Sequence, residues 1–329
     1  MTQPTESGLH KIHEGAWLIR LPVPWELKSV NAFLFRQRDG WLLLDCGLNT
    51  DETKQILDQA LADVGIDWRA ITKIVVSHMH PDHFGGAWRA RKLSGAPVYM
   101  HPVEAKLVAP RGPNEVFFAA AEGYMRRHGV PEDVISTMRS ESKKFADKMD
   151  RFTPDRDLGE GDVFEYVGGR LEAVLAPGHS PALMCFYDPE NKTLFSTDAV
   201  LERITPNIGV HHFYDGNPLG EYFDTLAKLD SLDVKLVVPG HGRPFEELSD
   251  WIASARRHHR KRCDRIVEVL GGGELHGFDV AGEVWGTKRP LGQRRLAMAE
   301  GLAHLVFQAR SGEVERLDRN GVDYWRVHP

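Results

Sequence analysis

The sequence predicts an α/β protein carrying a helical insert and a small C-terminal winged-helix-like unit. Three observations predict it. Short apolar runs recur, and each ends in a polar loop bearing His or Asp: ITKIVV before SHMH, LFST before DAV, VKLVV before PGHG. The segment DETKQILDQALADVG spaces Ile56, Leu57, Ala60, Leu61 and Val64 along one helical face and leads into ITKIVV, a helix feeding a buried strand. The texture then changes twice, at about residue 101 and after residue 247.

Taken in order, GAWLIRLPV and VNAFLFRQ read as strands, Asp39-Gly40 as a turn and WLLLDCG as the next strand, a meander. Thr50 or Asp51 caps the following helix. Residues 101–160 are rich in Lys, Arg, Glu, Phe and Met and read as an inserted helical pair. One helix carries Phe117, Phe118, Ala121, Tyr124 and Met125; the other, with Pro131 in its first turn, carries Ile135, Met138, Phe145 and Met149. Most of these apolar residues pack the insert onto the body, while Phe117, Phe118 and Tyr124 are candidates for a substrate wall. Strand signals resume in DVFEYVGGRLEAVLAPGHS and ALMCFYDPENKTLFSTDAV and return at VKLVVPGHG. The tail offers two helical runs separated by Gly271-Gly272-Gly273, then Asn320-Gly321 between alternating segments, a two-residue hairpin. The expected division is therefore a catalytic domain over 1–245, with the insert at 101–160, and a C-terminal unit over 246–329.

A hydrophobic fraction of 42% with 27% charged residues is that of a globular chain, not a disordered one. The formal charge of -6 gives no general attraction to nucleic acid or an anionic membrane. No leader pattern and no run of membrane-spanning length is present. Cys46, Cys185 and Cys263 are scattered and lack CxxC partners, so they read as small buried hydrophobes in a cytoplasmic protein.

The stretch SHMHPDHFGG places three histidines and an aspartate within six positions after a buried strand. In extended backbone, residues two apart point the same way, so His78 and His80 can reach one ion. Pro81 forces a turn, and Asp82 and His83 then project differently from the start of the next helix. His179 in APGHS, Asp198 in STDAV and His241 in PGHG each close a strand-like run. We assign His78, His80 and His179 to one divalent ion and Asp82, His83 and His241 to a second, with Asp198 bridging. Imidazole and carboxylate ligands suit zinc first, with manganese or iron as alternatives. Two ions sharing a water lower its pKa to about 7 and give a hydroxide nucleophile, with Asp82 and Asp198 as the catalytic carboxylates.

In these residues the chain resembles the metallo-β-lactamase superfamily: His-x-His-x-Asp-His as SHMHPDH, then His179, Asp198 and His241 in order, over roughly residues 9–245. The resemblance implies a four-layer αβ/βα sandwich with the site at one edge, and the C-terminal tail is similar to that of the lactamase-β-like-2 branch. Asp45 in LLLDCG matches a position that orients the metal loop in the family; a strand-end turn residue is the other reading. Ser77 is placed with it as a partner of the ligands. The cysteine ligand of the main secreted lactamase class is replaced here by Asp198, and the glutamate of diiron flavoproteins by His80. Neither a glutathione-binding pattern nor the extra motifs of the nucleases follow.

The leading functional expectation is a dinuclear hydrolase of a small ester, thioester or lactone. The alternatives are a phosphodiesterase or ribonuclease, and a metal-binding protein without turnover. RRHHRKR favours nucleic acid, yet on a helix Ile252, Ala255, His259, Cys263, Ile266, Val267 and Leu270 form the inward stripe and leave the charges as a solvated face. From residue 246 onward there are 14 Lys and Arg against 13 Asp and Glu, too even a balance for a nucleic-acid footprint. A packing or homodimerisation module fits that tail better. His211 and His212, between Asp198 and His241, are either exposed loop residues or a proton donor to the leaving group, and Tyr214 is a candidate oxyanion contact.

Overall fold

Alternation along the strands sends successive side chains into two different cores. The computed structural model describes residues 8–110, 114–146, 150–214 and 216–329. Met149 and residues 1–7 lie outside the described residues, as does the side chain of Phe145. By packing, the chain forms two compact units. The first holds the described residues of Met1–Pro110, Lys148–Pro206 and Ser231–Leu248; the second holds those of Arg111–Asp147, Asn207–Asp230 and Ser249–Pro329. Residues 114–146 of the insert and a later loop-helix segment are thus grouped with the tail, while the other described residues of the insert are grouped with the first unit. Such discontinuous grouping depends on contacts between segments far apart in sequence.

The first unit contains a seven-stranded sheet, β1 (Leu9–His13), β2 (Ala16–Pro22), β3 (Ser29–Gln37), β4 (Gly40–Leu44), β5 (Ile71–Val76), β6 (Val98–Met100) and β7 (Arg156–Asp157), in that spatial order. Strands β1–β4 are antiparallel and β4–β7 parallel. A second sheet has the order β12 (Leu236–Pro239), β11 (Thr193–Thr197), β10 (Met184–Asp188), β9 (Gly169–Leu175), β8 (Val163–Tyr166). Leu18, Phe33, Phe35, Leu42, Leu44 and Val75 pack with Phe186, Phe195 and Val238 of the second sheet. Their sequence neighbours Ile19, Leu34, Leu43 and Ile74 face the opposite way, onto Leu57, Leu61, Ala87 and Ala90 of the helices. A sheet covered on both faces needs near-continuous apolar strands, which VNAFLF, WLLL and ITKIVV supply.

The helices of this unit are α1 (Asp51–Asp63), α2 (Pro81–Phe84), α3 (Ala87–Ser94) and α4 (Pro102–Val108). Thr50 caps α1, its side chain accepting from the Thr53 N–H. Helix α4 falls inside the stretch read as a helical pair and adds a third helix there. Its start is written in His101-Pro102: the histidine side chain caps Val103 N–H and proline takes the first turn.

The second unit contains α5 (Asn114–Arg127), α6 (Glu132–Ala146), α7 (Pro218–Asp230), α8 (Leu248–Leu270), α9 (Gly277–Trp285) and α10 (Leu291–Ser311), with a sheet ordered β13 (Leu275–His276), β15 (Val322–Val327), β14 (Val314–Arg319). Asn320 and Gly321 both take positive φ, 56° and 84°, so β14 and β15 join through the left-handed two-residue turn that asparagine and glycine favour. Ile252, Ala255, His259, Cys263, Ile266 and Leu270 are buried along α8 and Val267 partly so. Among the described residues, no helix is long and apolar enough to cross a membrane.

Candidate metal centre

The end of β5 and the first turn of α2 bring four of the seven predicted ligands together, and the ends of three further strands bring the rest. His78 Nε2 lies 3.0 Å from His80 Nδ1, which lies 2.9 Å from His179 Nε2. His241 Nε2 lies 3.2 Å from Asp82 Oδ2. Asp198 stands between the two groups: Oδ2 is 3.4 Å from His179 Nε2 and 3.4 Å from His241 Nε2, and Oδ1 is 3.3 Å from His83 Nε2. The ligand atoms of His78, His80, His179 and Asp198 lie within 4.8 Å of one another, as do those of Asp82, His83 and His241.

The outer nitrogens of His78, His83 and His241 are tied down. Asp45 Oδ2 accepts from His83 Nδ1 at 2.8 Å and from the Ser77 hydroxyl at 2.8 Å, while Oδ1 accepts the Ser77 backbone N–H at 2.8 Å. The Ser77 oxygen in turn lies 3.0 Å from His78 Nδ1. His241 Nδ1 donates to the Ser29 carbonyl at 2.7 Å. Each contact fixes a tautomer with Nε2 free to face inward, the usual support of a metal-bound histidine.

Burial, followed by the neighbouring imidazoles, holds His78 well below its ordinary range and His80 down to about 3, so both present neutral nitrogens. Burial would also depress His83, but Asp198, Asp45 and Asp82 outweigh it and hold that ring well above its usual value. Burial would raise the Asp198 carboxyl, yet His241 and His83 hold it well below the carboxylate range. The second group is therefore balanced by protons on imidazole, and a divalent cation would replace those protons. His83 Nε2 and Asp198 Oδ1 are buried and face each other at 3.3 Å, but neither meets the geometry of a hydrogen bond. Inward nitrogens about 3 Å apart and orphaned buried polar atoms are what a metal satisfies, so the residues present fit the group.

Backbone geometry shows why the loops carry their particular residues. Asp45 and Thr197 both take positive φ, 60° and 45°, costly for non-glycine residues and for β-branched threonine above all. A Cβ on Gly240 would meet Asp198 Oδ1 at 2.3 Å and His83 Cε1 at 3.0 Å, so the PGHG turn requires glycine there.

Two positioning residues carry no sequence signal. Glu104 of α4 is fully buried and accepts from Met79 N–H at 2.9 Å, Ser180 Oγ at 2.8 Å and Ala182 N–H at 2.7 Å, joining the His78–His80 loop to the His179 loop. Asn31 of β3 donates to the carbonyls of Pro239 and Gly242 at 2.8 and 3.1 Å, gripping the His241 loop. Nothing in PVEAKLV or SVNAFLF marks these side chains as internal.

Of the speculative substrate residues, Phe117, Phe118, Tyr124, His211 and His212 line a cavity of about 130 Å³ within the second unit. His211 and His212 are thus half-buried cavity residues and not exposed ones. Tyr124 Oη donates to the Val210 carbonyl at 2.8 Å, and the rings of Phe117 and His212 meet at 4.5 Å. Tyr214 is not among the cavity residues; its hydroxyl bonds the Glu221 carboxylate.

A fold of two stacked mixed sheets with this histidine–aspartate cluster at the strand ends defines a metallo-β-lactamase-type protein, and the profile of the Metallo-beta-lactamase superfamily matches residues 25–241. The chain belongs to that superfamily. It is 22% identical over 247 residues, 75% of its own length, to the lactamase-like protein aptB of Emericella nidulans, and spans 62% of that relative. It is 23% identical to the probable metallo-hydrolase YqjP of Bacillus subtilis, covering 81% of this chain and 84% of the other. The crystal structure of the metallo-beta-lactamase family protein TTHA1429 from Thermus thermophilus superposes with a TM-score of 0.80 at 27% identity, covering 96% of this chain and all of that one.

Proposed function

We propose that the protein is a hydrolase of a small ester, thioester or lactone, dependent on two divalent ions, zinc first. One observation carries the reading: the Asp198 carboxylate reaches both ligand groups, 3.4 Å from His179 Nε2 and 3.4 Å from His241 Nε2. A shared carboxylate between two such groups suits a pair of ions, not one. When bound, the ions supply an activated water and a Lewis-acid contact for the scissile carbonyl. Asp82 and Asp198 would hold the ions and would accept hydrogen bonds from the water the ions supply. Asp45, through His83 and the Ser77–His78 pair, holds the imidazoles so that no reorganisation accompanies the reaction. The name of the relative YqjP supports a hydrolase, and the mild net charge of -6 supports a small substrate over a polyanion.

The C-terminal unit reads as winged-helix-like, supported by the order α8, β13, α9, α10, β14, β15 with β15 central in its sheet.

The deciding experiment measures metal per chain and then turns the same sample on p-nitrophenyl esters, acyl-homoserine lactones, S-lactoylglutathione, nitrocefin, bis-p-nitrophenyl phosphate and a labelled RNA. The reading expects two metals and ester, thioester or lactone turnover, with Asp198→Ala losing both metal and hydrolysis. Turnover of the phosphodiester or RNA alone overturns it.

A further inference from the structure

The second unit holds another convergence of ligand-type side chains, remote in sequence from the seven residues above. His259 comes from α8, and Glu300 and His304 lie four apart on α10, hence on one face. We infer that His259, Glu300 and His304 form a further site for one divalent transition-metal ion of the zinc class. Their ligand atoms lie within 4.8 Å of one another.

His304 Nδ1 donates to the Glu300 carbonyl at 2.8 Å, which leaves the lone pair on Nε2. Nδ1 of His259 faces that atom at 3.2 Å. Two imidazole nitrogens on a tetrahedral zinc stand about 3.3 Å apart, given bond lengths of about 2.0–2.1 Å. The separation suits a shared ion as well as a hydrogen bond. With its proton on Nδ1, His259 bonds His304 but leaves Nε2 buried with an unmet lone pair, for Nε2 has no partner among the described residues. With the proton on Nε2, two lone pairs face each other across 3.2 Å and a cation relieves them. In either form Nε2 has no hydrogen-bond partner among the described residues, and its ring lies near-perpendicular to those of Tyr222 and Phe223.

The surroundings agree. Asn207 Nδ2 donates to Glu300 Oε2 at 3.0 Å, orienting the carboxylate as ligating carboxylates are oriented. Both imidazoles are fully buried, while Glu300 is half-buried. Two cations lie nearby: Arg262 stacks on the Trp285 ring at 4.9 Å and Arg289 donates to the Trp285 carbonyl at 2.7 Å. Bound there, the ion ties α8 to α10.

The test strips the full chain with chelator, dialyses it against zinc and counts metal per chain, beside Glu300→Gln and His259→Phe. Glutamine keeps an acceptor for Asn207, so that variant retains the fold even where the other does not. Wild type is expected to hold one equivalent more than Glu300→Gln, whatever the count at the centre built on His78 and His241. Equal counts in wild type and a folded Glu300→Gln overturn the site.

Discussion

Asp45 Oδ2 lies 2.8 Å from His83 Nδ1, and neither side chain is open to solvent. A buried carboxylate there fixes the ring with Nε2 inward, and the same carboxylate reaches His78 through Ser77. Replacing Asp45 with alanine removes the acceptor for both. Loss of such an outer partner lowers metal affinity by about 10–100-fold. Competition against a chromophoric chelator should read that loss at the His78–His241 centre; an unchanged affinity would mean the contact only packs.

Glu104 gathers three donors from two loops. In Glu104→Gln, one amide N–H2 must face a donor, whichever way the side chain is flipped. A buried donor left unmet costs about 1–3 kcal/mol. We expect a lower thermal midpoint and weaker zinc binding together, because the loops it joins carry His78, His80 and His179. Full stability and wild-type affinity would show that the loops hold without the carboxylate.

His128, in the second unit, is buried, and burial pulls its imidazole down to about 4; Asp323 opposes that shift while Arg127 and Arg316 reinforce it. The folded chain keeps this ring neutral, whereas the unfolded chain protonates it near 6.5. Between those values the unfolded state binds more protons, so the contribution is present above pH 6.5 and is lost as pH falls toward 4. At pH 5 the loss is about 2 kcal/mol. Melting curves of His128→Phe against wild type should therefore converge or cross as pH drops from 7 to 5, with wild type falling faster. Parallel curves would dismiss the effect.

The candidate metal loop is legible because four candidate ligands fall within six positions. Alternation on an extended segment and a proline-started helix turn decide by local stereochemistry which way His78, His80, Asp82 and His83 point. His179, Asp198 and His241 are legible for a related reason, since each ends a run of apolar residues long enough only for a strand. Asp45 is half legible: its place after WLLL is plain, its partner is not. Glu104 and Asn31 are not legible, for each sits in a segment whose pattern is that of an ordinary helix or strand. The pairing of His259 with His304, 45 residues apart, is likewise hidden, although His259 falls on the buried stripe of its helix.

Backbone sterics and side-chain periodicity act over a few residues, so the order of amino acids alone settles the local elements and the strand-end positions of the seven candidate ligands. Only the folded chain decides that Asp198 stands between the two candidate ligand groups, that Asp45 and Glu104 are internal, and that the described residues of 111–147 and 207–230 pack with the tail. Burial of a carboxylate and convergence of side chains from distant segments depend on which surfaces lose water against each other. No local pattern encodes that choice.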